Sequence, residues 1–133
     1  MDIEAAPERI CELAPRDGYL AHTNHFSDPD ALAIWQPLAD DRSSTYFRYE
    51  RANAMLRACL ERRRGVSVVD LKRMLRDHDG DDLSICRHRD ATRPVHEHFE
   101  TVVSVIMDLD DGVMFLASGT PCGARYRRFR LVS

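Results

Sequence analysis

The residues best suited to directed chemistry are His22, Asn24 and His25, in the run Ala21-His22-Thr23-Asn24-His25-Phe26. This run is polar where a globular chain is normally apolar. It follows a strand-like stretch, Gly18-Tyr19-Leu20-Ala21, and closes on an aromatic residue. Rigid scaffolds place chemistry where strands run out into loops. Asn24 carries a neutral carboxamide whose N–H can donate to a developing oxyanion, a task that needs a fixed donor rather than a charge. Either flanking histidine suits a general base or a group that holds the amide in place. The structural alternative is that Asn24 caps a turn and both histidines face water. No obvious nucleophile accompanies the group.

Six histidines and four cysteines raise metal ligation next. The local pairs are His22-x-x-His25, Cys86-x-His88 and His96-x-His98. None has the paired spacing of a structural zinc site and no HExxH occurs, so neither metal nor cofactor is expected. His96 and His98 are expected in a solvated loop. The acidic run Asp77-His78-Asp79-Gly80-Asp81-Asp82 fails as a calcium loop: an EF-hand opening at Asp77 needs Gly at position 82 and Glu at position 88, where the chain has Asp82 and His88. Cys11, Cys59, Cys86 and Cys122 form no CxxC pair and are expected to be reduced, structural thiols.

The 133 residues suit one domain spanning 1–133. A hydrophobic content of 44% and a charged content of 31% are those of a globular chain, not a disordered one. A formal charge of −3 and a pI near 6.0 argue against general nucleic-acid binding. Arg62-Arg63-Arg64 is expected to end a helix, and Arg125, Arg127, Arg128 and Arg130 to guard a sheet edge. No apolar run approaches the roughly 20 residues that cross a bilayer. The acidic, apolar-poor opening carries no secretory pattern, so a cytoplasmic protein without membrane association is expected.

The elements that must position these groups follow from pattern. Short strands are expected at Glu8 to Leu13 and Gly18 to His22, joined by the turn Pro15-Arg16-Asp17-Gly18. A loop follows from Ser27 to Asp41, pinned by Trp35. Ala52, Met55, Leu56, Cys59 and Leu60 recur at helical spacing, predicting a helix from Ser44 to Arg64 closed by Gly65. Ser67-Val68-Val69-Asp70 reads as a capping box opening a second helix, with Leu71, Met74, Leu75 and His78 on one face. Strands are expected at Leu83–Cys86, Thr101–Leu109, Val113–Ala117 and Tyr126–Val132, with a hairpin turn at Asp110-Asp111-Gly112. Strands, then helices, then strands imply an α+β fold.

Taken together, His22-Thr23-Asn24-His25-Phe26, Ser43-Ser44 with Arg48-x-x-Arg51, and Ser84-Ile85-Cys86-Arg87-His88 form an ordered pattern. Thr101-x-x-Ser104-Val105-Ile106-Met107-Asp108 and Gly119-Thr120-Pro121-Cys122 complete it. The chain resembles, from about Glu4 to Leu131, the C-terminal part of the isopenicillin N acyltransferase family, self-cleaving cysteine members of the N-terminal nucleophile hydrolases. The resemblance implies an αββα sandwich, incomplete here, with antiparallel strands and two main helices. It implies attack by an N-terminal cysteine on an amide or thioester carbonyl, with its own α-amine as base and an acyl-enzyme as intermediate. Asn24 matches the asparagine that steadies the tetrahedral intermediate. His22, His25 and Arg48 are candidates for the substrate cleft, and Arg48 and Arg51 are expected to pair with carboxylates or line it.

The departure is the nucleophile. The family places it well upstream, and the sole upstream cysteine, Cys11, follows Ile10 rather than a small residue and sits in mid-strand. The expectation is a C-terminal portion, inactive alone, that acts on small amide or acyl-thioester substrates with an upstream half or a second copy of the chain. A non-catalytic ligand-binding or assembly module is the alternative from another class, and a small metalloprotein is a third.

Overall fold

Alternation drives the largest sheet. In Val103–Asp108 and Val113–Ser118, successive side chains fall on opposite faces, and the β-branched and apolar residues suit a pleated surface. The computed structural model describes residues 1–36, 44–62 and 65–131. In it these segments form β3 (Val103–Asp108) and β4 (Val113–Ser118), an antiparallel hairpin closed through residues 109–112. β5 (Arg127–Arg130) pairs antiparallel with β4 at the other edge, giving the order β3-β4-β5. The register places Ser104 opposite Ala117 and Ile106 opposite Phe115, on the face that packs against a helix. The opposite face presents Val103, Val105 and Met107, all exposed, beside Met114, Leu116 and Phe129. One side of this sheet is therefore core and the other is apolar but uncovered.

One helix packs on the core side, and the other lies beside that helix. α1 (Ser44–Leu60) runs past α2 (Val68–Leu75), and α2 packs on β3. The capping box expected at Ser67 forms: its Oγ accepts from Asp70 N at 3.2 Å, and its own N–H donates to Asp70 Oδ2 at 3.1 Å. Met74, Ile106, Val113, Ala117 and Cys86 make up the centre of the core, with Cys59 of α1 buried behind. Each large apolar side chain buried there contributes about 2 kcal/mol. Lys72 of α2 lies 4.3 Å over the Phe115 ring and 5.1 Å over Tyr126, whose hydroxyl hydrogen-bonds Ser104 Oγ at 2.6 Å. The overall class is α+β, with two helices and two antiparallel sheets, as the order of elements implied.

The second sheet is a small hairpin of β1 (Asp2–Ala6) and β2 (Arg9–Leu13), turning at Pro7 and Glu8. β1 escapes sequence reading because Asp, Glu and Ala are poor strand formers. The strand expected at Gly18 to His22 is replaced by an isolated bridge between Arg16 and Tyr19. Asp17 and Gly18 both take positive φ there, so the chain folds back too tightly to pair further. The strand expected at Leu83–Cys86 is instead a 3-10 turn, Asp81–Leu83, leading into a bend. Its backbone is spent elsewhere: Cys86 N donates to Asp77 O at 2.9 Å, and Cys86 O accepts from Ser84 Oγ at 2.8 Å.

Trp35 does not pin its loop. It is 86% exposed, whereas Leu32 is buried and Gln36 clamps Phe26 reciprocally, Phe26 N to Oε1 at 2.7 Å and Nε2 to Phe26 O at 3.0 Å. α1 ends at Leu60, short of the expected Arg64, so Gly65, which takes φ +71, lies too far along the chain to close it at C′ as expected. Arg63 and Arg64 of the basic run, Ser43, the loop from Pro37 to Asp41 and Val132 of the last expected strand lie outside the described residues. β5 does form a basic edge strand.

Candidate functional site

The loop that carries His22, Thr23, Asn24 and His25 is fastened to the first turn of α1 by one threonine. Thr45 Oγ1 accepts from Asn24 N at 2.9 Å, and Thr45 O accepts from Thr23 Oγ1 at 3.0 Å. His25 Nδ1 sits 2.9 Å from Thr45 Oγ1 and 3.0 Å from Thr23 Oγ1, and its ring stacks on Tyr46 at 4.1 Å with Tyr49 edge-on at 5.2 Å. Burial first, then His22 and Arg48, hold His25 below the usual histidine value of 6.5, against an opposing pull from Glu4. The half-buried ring is tied into the loop through these contacts.

His22 is equally engaged. Its Nε2 lies 2.8 Å from Glu4 Oε1 and 3.1 Å from His25 O, and its Nδ1 lies 3.2 Å from Asp2 Oδ2. Glu4 is the hidden keystone: it is 3% exposed and accepts from Ser27 N at 2.6 Å and Asp28 N at 3.3 Å as well. A buried carboxylate needs such partners. Nothing local in the sequence marks Glu4 or Thr45; only the fold joins them to the loop.

Asn24 is exposed and is aimed by Arg48. The guanidinium donates from Nη2 to Asn24 Oδ1 at 2.8 Å and from Nε to Ser44 O at 3.0 Å. Among the described residues only Oδ1 of that carboxamide is engaged, which leaves its two N–H donors for an acceptor. His22, Thr23 and Arg48 form the polar rim of a cavity of about 430 Å³ whose wall is Leu71, Met74, Leu75, Ile85 and β3. An apolar cleft with few convergent polar groups is the ordinary form of a small-molecule site. The sequence candidates Asn24, His22, His25 and Arg48 are thus brought together, with distinct duties. Arg51, one turn on, faces away and pairs bidentately with Asp77, at 2.7 and 2.9 Å.

Cys11 lies in β2, as expected, on an open cleft of about 670 Å³ between the N-terminal hairpin and α1. Partial burial, then Asp28, Glu4 and Glu12, push its thiol up, the reverse of what an attacking thiolate needs.

A second polar constellation was invisible to local spacing. His78, just beyond α2, meets Cys86 and His88 of the following loop and Cys122 of the turn before β5, with all four ligating atoms within 4.8 Å of one another. The expectation of no metal rested on adjacent pairs, and this set is assembled from three separate segments. His96 and His98 stand apart in the exposed region expected for them; His98 Nε2 contacts Arg93 O at 2.7 Å. His78 also leaves the apolar face it was assigned, because α2 stops at Leu75. Burial is the main influence raising the Cys86 thiol. Among the described residues no helix is long and apolar enough to cross a membrane. Comparison with known proteins finds no family model that matches the chain and no curated protein similar to it.

Proposed function

We propose that the chain is the C-terminal portion of a cysteine N-terminal nucleophile acyltransferase or amidohydrolase, working in the cytoplasm on small amide or acyl-thioester substrates. The observation that carries this reading is the hydrogen bond from Arg48, a residue lining an apolar cavity, to Oδ1 of the exposed Asn24. In the reaction, a thiolate supplied from chain upstream attacks the carbonyl carbon and the carbonyl π electrons move to oxygen. Asn24 Nδ2–H donates to that oxyanion, with Arg48 holding Oδ1 so that the donor is fixed beforehand. Collapse expels the amine or thiol as it takes a proton, leaving an acyl-enzyme that water or an amine then discharges.

A second observation supports the incomplete αββα arrangement. The uncovered apolar face of β3, β4 and β5 is the face a second sheet would cover. The upstream half of the same fold is the occupant in this reading. A non-catalytic module that binds its ligand in the same cavity is the alternative, and it needs no tetrahedral preference.

The test uses the 133-residue chain, a phosphonate that mimics the anionic tetrahedral intermediate, and the corresponding acyl thioester. The phosphonate should bind more tightly than the thioester, and Asn24→Ala should weaken the phosphonate alone. No acyl adduct should appear in the intact mass. Equal effects on both ligands favour the binding module. An acyl adduct on Cys11 overturns the assignment.

A further inference from the structure

We propose that His78, Cys86, His88 and Cys122 form a structural zinc site. This does not rest on the acyl-transfer reading, which gives none of these four residues a role in the reaction. The geometry comes first. His78 Nε2 lies 3.0 Å from His88 Nε2, while Cys122 Sγ and Cys86 Sγ lie 3.2 and 3.7 Å from that same nitrogen. A tetrahedral zinc with Zn–N near 2.0–2.1 Å and Zn–S near 2.3 Å separates its donors by about 3.3–3.8 Å. The four atoms need to move by only a fraction of an ångström to about 1 Å to surround one ion.

The contacts are also poorly explained as hydrogen bonds. A neutral imidazole nitrogen offers one lone pair or one N–H, yet His88 Nε2 faces another imidazole nitrogen and two sulfurs. Atoms that crowd one another in this way are better described as aimed at a common point. The donor set then selects the ion. Two imidazoles and two thiolates suit zinc and other borderline-soft ions, whereas calcium and magnesium take oxygen ligands.

The site is built rather than accidental, because the three ligand-bearing segments are tied to each other by hydrogen bonds outside the cluster. Cys86 N donates to Asp77 O at 2.9 Å, which joins the His78 and Cys86 segments. Arg76 Nε donates to Pro121 O at 2.8 Å, which joins the end of α2 to the Cys122 turn. Arg87 N donates to Thr101 Oγ1 and Thr101 N to Arg87 O, both at 3.0 Å, which fixes the residue between Cys86 and His88. Four protein donors fill a tetrahedral shell, so the ion would have no open position for substrate and would act as a clip. On binding, two S–Zn bonds form as the thiols release their protons to solvent.

The experiment takes the reduced, chelator-stripped full chain and titrates it with cobalt(II), then zinc. Expected are one cobalt per chain, thiolate-to-cobalt charge-transfer absorption with tetrahedral ligand-field bands, and displacement by zinc. Cys122→Ser and His88→Gln should each lower affinity by more than the roughly 10–100-fold typical of losing an outer-shell partner. His96→Gln and His98→Gln should bind as the parent chain does. Circular dichroism with and without zinc reads folding separately; a metal-free chain that folds only on adding zinc supports the site as well. Three results would overturn it: no sulfur charge transfer, unchanged binding by Cys122→Ser, or a Cys86–Cys122 disulfide whose reduction restores no metal uptake.

Discussion

The two polar clusters are opposites in sequence and in use. The loop at His22–His25 is contiguous, and most of its hydrogen-bonding capacity is consumed by its own scaffold: His22 by Glu4 and Asp2, His25 by Thr23 and Thr45. Only Asn24 keeps donors facing outward, because Arg48 occupies its oxygen. The cluster of His78, Cys86, His88 and Cys122 is scattered along the chain, and its side chains face chiefly one another. A dense run of histidines can thus be architecture, while donors far apart in sequence can share one point in space. Proximity in the chain is a poor measure of shared purpose.

The contrast breaks first at Glu4. If the N-terminal loop is a scaffold, its keystone should be far more sensitive than any residue of the loop itself. Glu4→Ala removes the acceptor for Ser27 N, Asp28 N and His22 Nε2 at a buried position. The expected loss is about 2 kcal/mol of unfolding free energy, because the donors left unpaired are partly open to water. Urea denaturation measures it, and cobalt binding by the folded fraction should be unaltered. A loss smaller than that of Asn24→Ala would mean the hairpin does not hold the loop.

The corresponding keystone for the second cluster is a glycine. Gly80 has φ +86, and a Cβ there would collide with the Phe47 ring. Gly80→Ala therefore combines left-handed strain of about 1–2 kcal/mol with an overpacking penalty of about 1–3 kcal/mol. It should also displace the turn between His78 and Cys86, so cobalt affinity should fall along with stability. Phosphonate binding at the cavity lined by His22, Thr23 and Arg48, measured on the folded fraction, should survive. If both sites weaken together, the two regions are one cooperative unit and the comparison fails.

These two residues also show where sequence reading ends. The hairpin of β3 and β4, the Ser67 capping box and the basic β5 edge were legible because each depends on neighbours within a few positions. The polar loop was legible as a group for the same reason. Glu4 was not, since a buried carboxylate looks like any surface glutamate until its partners arrive from residues 22, 27 and 28. Leu83–Cys86 misled for the converse reason: it is apolar and short enough for a strand, but Asp77 claims the Cys86 amide. Nor did any local spacing unite His78 with Cys122, whose segments are joined by the bond from Arg76 to the Pro121 carbonyl.

A smaller effect is expected where α1 reaches the second cluster. Arg51 pairs with Asp77 at 2.7 Å and with Asp79 at 3.2 Å, and this pairing holds the Asp77 carboxyl below the usual carboxylate range. Arg51→Ala should cost about 1 kcal/mol, since the guanidinium is partly exposed and screened by solvent. Differential scanning calorimetry at low and high salt checks it. A salt-independent loss would point to packing of the arginine stem instead of charge.

The smallest effect belongs to His25 and is a matter of pH. Its value in the fold is lowered, by burial first and then by His22 and Arg48, from an ordinary 6.5. In the window between the lowered value and about 6.5, the unfolded chain binds the proton more readily than the native one. The native state therefore keeps its full advantage above about 6.5 and loses it as pH falls through the folded value. His25→Gln has no such proton to take up, so its unfolding free energy should decline less steeply over that window than that of the parent chain. Urea midpoints at several pH values, compared between the two proteins, give the difference with other titrating groups cancelled. A parallel pair of curves would mean that the ring is as open to solvent as a free histidine, and that the enclosure by Tyr46, Tyr49 and Thr45 does not hold the loop in solution.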